Sequence, residues 1–313
     1  MITKVSTKEM PRDVWLERRT HSLGGSDAGT VLGLNPYSSP YALWAEKTGQ
    51  ITPEDISDKE AVRLGNDLEQ YVADRWCEAT GKKVRRENNM IYNDEYPFAH
   101  ADIDRAVVGE HAGLECKTTS SWEILQRCRD GEFPEAWYCQ MMHYLMVTGF
   151  ERYYLGVLCF GKGFFEFTIE RNEAEIEALA NAEREFWHYV ETKTPPPLDG
   201  TEATGEALTT ILGDSSPGTS VDLTAVGLQL TAYCSIKEQI KRLENELADA
   251  QANIELFMGQ AERGEYNGIK VSFKTQERKT FDRKAYEAER GEIPQKYFKV
   301  STSRPFKVTE KKG

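Results

Sequence analysis

What this sequence does without is the first guide to what it can be. It has no run of about 18 apolar residues, so no membrane-spanning helix is expected. Its opening stretch, MITKVSTKEMPRDVW, lacks the apolar core of a signal peptide, which predicts a protein that stays in the cytoplasm. Cysteines are few and scattered: Cys77, Cys116, Cys128, Cys139, Cys159 and Cys234 include no CxxC pair. That spacing argues for free thiols in a reducing compartment and against zinc or an iron–sulfur cluster. Positive charge is short as well, with 39 Lys and Arg against 51 Asp and Glu and a net charge of −12.

The shortage is not uniform. Residues 264–313 hold 13 basic against 7 acidic side chains, a balance of +6, so the preceding 263 residues carry −18. A basic tail on an acidic body fits either a local footprint for DNA or a solvated appendage. The acidic body is also where carboxylates that bind a metal would sit, so the net charge does not exclude a nuclease. With 313 residues, 39% apolar and 29% charged, the chain fits a soluble globular protein with one large domain and an appendage, or two domains.

Periodicity lays out the elements. Helices are expected over 11–19 with Trp15 and Leu16 inward, from a cap at Ser26 or Asp27 to a stop at Gly33 and Pro36, and over 40–48. After a polar loop at 51–57, an amphipathic helix over 59–80 repeats Leu64, Leu68, Val72 and Trp76 every four residues and ends at Gly81. Strands are expected over 83–90, 98–104 and 113–118, then helices over 121–129 and 134–147. A hairpin of 152–160 and 163–169 around Gly161-Lys162 follows, and a helix from Asn172 to about 192. This order predicts an α/β (α+β) core with a mixed central sheet flanked by helices.

Pro195-Pro196-Pro197 and the Gly/Ser/Thr-rich stretch after them read as a linker, dividing the chain into 1–194, a linker at 195–221, and a C-terminal region at 222–313. In that last region Tyr233, Ile236, Ile240, Leu243, Leu247, Ala250, Ile254 and Phe257 alternate steps of three and four. The heptad spacing suits a coiled coil, or a helix lying on its own domain. A strand pair, a helix and a basic extended tail are expected after it.

The stretch GLECKTTSSW, residues 113–122, carries the chemistry. In a strand Glu115 and Lys117 point to one face and Leu114 and Cys116 to the other. A carboxylate and an amine side by side at a strand end can bind a divalent metal and polarise a water. On spacing alone they are equally an ordinary solvated strand face.

Four segments in order, WLERRTHSLGGSDAGTVLGLNPYSSPYALWAEKTG, GNDLEQYVADRW, HADIDRAVVGEHAGLECKT and WYCQMMHYLMVTG, resemble the YqaJ-type viral recombinase family. That family belongs to the phage lambda exonuclease branch of the PD-(D/E)xK nuclease superfamily, and the resemblance covers residues 15–167, about half the chain. It implies the restriction-endonuclease-like core of that superfamily. It also implies that Asp104, Glu115 and the backbone carbonyl of Cys116 hold Mg²⁺, for which Mn²⁺ would substitute, and that Lys117 orients the attacking water. Hard oxygen ligands suit such an ion. Glu69 matches a helix glutamate beside the site, holding a metal water or a second metal, or else is a salt-bridging helix residue. Gln140 matches a helix glutamine that can hydrogen-bond the lysine or the water, with Tyr144 one turn on.

Arg19 and Ser26 match residues that hold a 5′-terminal phosphate in the related exonuclease. Gly24 and Gly25 would let the backbone come close to it. Asp94 matches an acidic position, Asp102 shares a side with Asp104 if its strand is regular, and His100 and His143 are expected to be structural. The resemblance implies a 5′→3′ double-strand DNA exonuclease that leaves 3′ overhangs for a phage single-strand annealing protein. It further implies a homo-oligomer, a trimer by that likeness, in a phage or prophage setting within a bacterial host. An endonuclease, a flap or branch nuclease, and a non-catalytic DNA-end-binding scaffold are the alternatives.

Overall fold

A computed structural model of the chain describes residues 1–53, 55–299, 304 and 306–308. The chain divides into two compact units, Met1–Gly213 and Asp214–Gly313.

The expected mixed sheet is the frame of the first unit. Five strands lie in the order β2 (Val84–Arg86), β5 (Arg105–Val107), β6 (Ala112–Thr119), β7 (Arg152–Cys159) and β8 (Gly163–Glu170). All pairs are antiparallel except β6 and β7, which run parallel. A parallel pair needs a crossover, and here helices α5 (Trp122–Arg129) and α6 (Glu135–Thr148) supply it. One face of the sheet is covered by α4 (Glu60–Thr80), through Ala73 and Trp76 packed with Leu114 and Tyr154. The other face meets α6, which is buried continuously from Cys139 to Thr148, as an all-round apolar helix must be.

Two expected strands turn out to be two each. The 83–90 segment divides into β2 and β3 (Asn89–Asn93), and the 98–104 segment into β4 (His100–Asp102) and β5. Both divisions pass the chain between the five-stranded sheet and a separate antiparallel sheet ordered β1–β3–β4. Strand β1 (Ile2–Ser6) was not expected. It is largely exposed and pairs only along β3, from Ile2 opposite Asn93 to Ser6 opposite Asn89, so its sequence carries little burial signal.

Around this frame lie α1 (Arg12–Thr20), α2 (Gly25–Val31), α3 (Pro40–Lys47) and α7 (Glu173–Thr192). Inside the stretch expected to be linker, α8 (Glu202–Leu212) is a helix packed on α3. Thr201 caps it, Ala207 is buried, and Thr204 donates to the Ser39 hydroxyl at 2.7 Å. The Gly- and Thr-rich composition hid a helix that tertiary contacts stabilise. We propose the boundary of the nuclease-like domain at Gly213 rather than at 194. A chain ended after Gly213 should keep the melting temperature of the first unit. One ended after Thr194 should lose more than about 4 °C in thermal unfolding, since 1 kcal/mol is worth about 2–4 °C at this size.

In the second unit α9 (Gly227–Met258) carries the heptad seam, and none of its residues is buried. A hairpin of β9 (Arg263–Tyr266) and β10 (Ile269–Ser272) turns on Asn267-Gly268, both at positive φ, the favoured pair for a two-residue turn. Helix α10 (Arg283–Arg290) follows. Most of the expected basic tail lies outside the described residues.

One buried pair ties the first unit together. His143 on α6 shares a 2.7 Å contact with Glu183 of α7 and a 2.8 Å hydrogen bond with the His100 carbonyl of β4. Burial disfavours a charge on His143, but Glu183 and the carbonyl outweigh it and raise its pKa above the usual value. A raised histidine pKa adds stability below the unfolded value, about 6.5, and that stability is lost as pH rises through the folded value. Melting temperature is therefore expected to fall over this rise, with a flatter profile in His143→Gln; thermal unfolding between about pH 6 and 9 checks it.

Candidate active site

Strand β6 delivers the chemistry by simple alternation. Leu114 and Cys116 face α4, whereas Glu115 meets Gln140 of α6. Lys117 Nζ donates to Glu115 Oε1 at 2.7 Å and to Gln140 Oε1 at 2.9 Å. Gln140 Nε2 donates to the same Glu115 oxygen at 2.8 Å and to the Tyr144 hydroxyl at 2.9 Å. The three side chains thus close a ring on Oε1, while the buried Oε2 of Glu115 has no hydrogen-bond partner.

Asp104 sits where the chain leaves β4 and enters β5. Its Oδ2 accepts the Cys116 N–H at 2.8 Å, so the turn is clamped to β6 one residue from Glu115. Burial, then the charges of Glu115 and Glu69, raise its pKa well above the carboxylate range. Burial works against the charge of Lys117, but Glu115 and Asp104 raise its pKa and keep it an ammonium.

Two carboxylates in mutual repulsion, one with an orphaned buried oxygen, are a donor set that a hard divalent cation would relieve. Among the described residues no group of three or more His, Cys, Asp or Glu side chains is arranged to hold a metal. The carboxylates of Asp104 and Glu115 still fit Mg²⁺, a hard cation that keeps several of its waters.

The remaining expected residues divide. Glu69 is ion-paired with Arg105, which is only 2% exposed, and lies 3.9 Å from Arg86. Arg105 also donates to the Asp104 carbonyl at 2.8 Å and to Gln70 at 3.2 Å. Glu69 thus neutralises a buried guanidinium behind Asp104, and its own charge reaches Asp104 as well. Arg105 was missed by sequence reasoning, although a cation inside the apolar run IDRAVV was a visible signal.

Asp94 is exposed and pairs with the N-terminal amine at 3.3 Å, away from these groups. The strand through Asp102 is not regular, so Asp102 and Asp104 share no strand face, yet both line one small cleft with Glu69. Burial pushes the Asp102 carboxyl up to about 6 and the His100 imidazole, with help from Arg19, down to about 3. His100 bonds the Ser22 hydroxyl at 2.8 Å, so both histidines are structural.

Arg19 and Ser26 do come together. Arg19 Nη2 donates to Ser26 Oγ at 3.2 Å, and its guanidinium stacks 4.5 Å from the Trp15 ring centre. Ser26 is not the helix cap: Asp27 accepts the Gly24 N–H at 3.0 Å and pairs with Lys47 at 2.8 Å, leaving the serine hydroxyl to face outward. A Cβ on Gly25 would lie 2.4 Å from the Tyr144 ring, so only glycine lets α2 sit this close to α6. That approach puts Ser26, Lys117 and Gln140 on one cleft of about 560 Å³.

If the carboxylates repel as described, removing one charge stabilises the fold. Asp104→Asn, which can still accept the Cys116 N–H, should raise the melting temperature by about 2–4 °C, roughly 1 kcal/mol. Added Mg²⁺ should raise the melting temperature of the parent by mass action and leave the variant unmoved. Thermal unfolding with and without the ion reads both.

The chain has relatives among known proteins. The model of the YqaJ-like viral recombinase domain matches residues 14–151. The chain is 37% identical over 306 residues to the uncharacterized protein YqaJ of Bacillus subtilis (strain 168), covering 96% of this chain and 95% of that protein. The likeness therefore runs through the second unit as well. Among solved structures, an alkaline exonuclease (LHK-Exo) from Laribacter hongkongensis is 18% identical, with a TM-score of 0.49 over 58% of this chain and 93% of that one. A phage-related exonuclease from Haemophilus somnus 129PT is 13% identical, with a TM-score of 0.37 over 55% of this chain and 96% of that one. With 37% identity over nearly the whole chain to one member and the family's domain spanning the site just described, the chain belongs to the YqaJ-like viral recombinase family.

Proposed function

We propose that the protein is a divalent-metal-dependent deoxyribonuclease that digests double-stranded DNA from its ends. The observation that carries this reading is the pairing of Asp104 with a Glu115 whose second oxygen is buried and unpartnered, beside the Lys117–Gln140 hydrogen bonds. Asp104, Glu115 and the Cys116 carbonyl would hold the ion, with Mg²⁺ the expected metal and Mn²⁺ a substitute. A cation there supplies Lewis acidity toward a phosphoryl oxygen and acidifies a water.

The chain's own groups do the rest. Lys117, kept cationic by Glu115, orients the attacking water and stabilises negative charge growing on the phosphate. Gln140 fixes that ammonium, and Arg105 with Glu69 fixes the backbone of Asp104. Water's oxygen bonds to phosphorus, the P–O3′ bond breaks, and the 3′ oxygen leaves as a hydroxyl. Arg19 and Ser26, on the same side of the molecule, suit a terminal 5′-phosphate, and this favours end-directed 5′→3′ action without sequence readout.

The same reading extends to the cellular role. Resection leaves 3′ single strands for an annealing protein, the enzyme acts in a bacterial cytoplasm, and a homo-oligomer, a trimer by resemblance, encloses the duplex. Among the described residues no helix is long and apolar enough to cross a membrane.

The test is digestion of linear duplex bearing one labelled 5′-phosphorylated end beside a closed circle, with Mg²⁺, with chelator, and with Glu115→Ala. Metal-dependent release of the 5′ label from linear DNA alone is expected. The substitution should lower the rate by about a hundredfold or more, as loss of an electrostatic stabiliser typically does. Cutting of the circle would make it an endonuclease, and binding of ends without cutting would make it a scaffold.

A further inference from the structure

The apolar seam of α9 lies open to solvent. Ile236, Ile240, Leu243, Leu247 and Ile254 follow one another along it, each between 50% and 69% exposed. Toward its N-terminal end the Phe306 ring meets Tyr233 edge-on, with ring centres 5.4 Å apart. That end of the seam is therefore bulkier than a lone tyrosine would make it.

The heptad gives each residue a place. Tyr233, Ile240 and Leu247 take position a, and Ile236, Leu243 and Ala250 position d. The e positions beside the seam hold Lys237 and Glu244, and the g positions Gln239 and Glu246. Lys237 and Glu244 are seven residues apart, about 10 Å along the axis, too far to pair within one helix.

These positions decide which partner fits. Two copies laid parallel and in register would set Tyr233 on Tyr233, each already carrying Phe306, and Ala250 on Ala250, which leaves a gap. Their e and g contacts would put Glu244 on Gln239 and Lys237 on Ala232, with no opposite charges. Two copies laid antiparallel, about a two-fold axis between Ile240 and Leu243, bring a onto d. Ile240 then packs on Leu243 of the second copy, and Ile236 on its Leu247. Ala250, the small residue of the seam, falls opposite the bulky Tyr233 end. Facing e positions bring Lys237 of each copy to Glu244 of the other.

We propose that α9 pairs antiparallel with α9 of a second copy of this chain, joining copies two by two. Size and charge both select this arrangement: small meets large at the ends, and two Lys–Glu pairs flank the centre. The pairing is independent of the nuclease reading and of any assembly that the first unit makes.

Sedimentation equilibrium of the full-length protein over a range of concentrations tests it. Ile240→Asp, at a half-exposed position, is expected to halve the mass. Lys237→Glu should raise the dissociation constant at least about fivefold, because it sets Glu against Glu on both sides of the axis. Adding Glu244→Lys to that variant should restore the parent's association, since the charges are exchanged and again opposite. Both charge changes sit on the exposed face of a helix and leave the fold intact. A mass indifferent to both Ile240→Asp and Lys237→Glu would overturn the pairing. Weakening by Lys237→Glu that the second substitution fails to rescue would overturn the antiparallel arrangement.

Discussion

A buried carboxylate beside another carboxylate is the constraint on which the first unit depends. Glu115 is 4% exposed and lies close enough to Asp104 to raise that group's pKa, an arrangement that costs several kcal/mol unless compensated. Compensation comes from two directions. Lys117 and Gln140 close on one oxygen of Glu115, and the Cys116 N–H closes on Asp104. Gln140 can take part only if α6 lies directly over the parallel pair β6–β7. Its own packing against α2 needs a glycine at position 25, and a Cβ on Gly29 would come within 2.9 Å of Ala136. Gly25 and Gly29 therefore serve helix approach, and through it they decide where Ser26 stands relative to Lys117.

Asp104 reaches this ring because the sheet is not continuous. The chain quits the small β1–β3–β4 sheet after Asp102 and starts β5 at Arg105, and the turn between presents the carboxylate to β6. Holding such a turn needs a partner for the peptide carbonyl. Arg105 provides it from a position almost wholly out of solvent, with Glu69 balancing its charge from α4. Glu69 so contributes to the site through Arg105. It stabilises the arginine that stabilises the turn.

The second unit follows other rules. Helix α9 keeps its apolar seam half-exposed, with Ile236, Ile240, Leu243, Leu247 and Ile254 all accessible, and none of its positions reaches core burial. A helix of this length is held by its own backbone bonds once nucleated, and its three-four spacing lines its apolar residues up along one side. The homology to the Bacillus subtilis protein spans this unit too, so the appendage is part of the family member as a whole and not an isolated addition.

Much of this was legible in the residues themselves. The alternation in GLECKT determined that Glu115 and Lys117 share a face, the 3.6-residue periodicity determined α4, the long apolar run between Pro134 and Gly149 determined α6, and the Asn-Gly pair determined the β9–β10 turn, because each is a local property of backbone and side-chain spacing. The tertiary structure alone decided the rest. No glycine or proline breaks 98–104 or 83–90, so only pairing with separate sheets could reveal that each is two strands. The polar composition of 195–221 concealed α8, which exists through its contact with α3. That Glu69 pairs with an arginine behind Asp104 was visible only once the chain had folded. Sequence spacing sets which way a side chain faces; which charge waits for it on the neighbouring element is fixed only when the chain has closed.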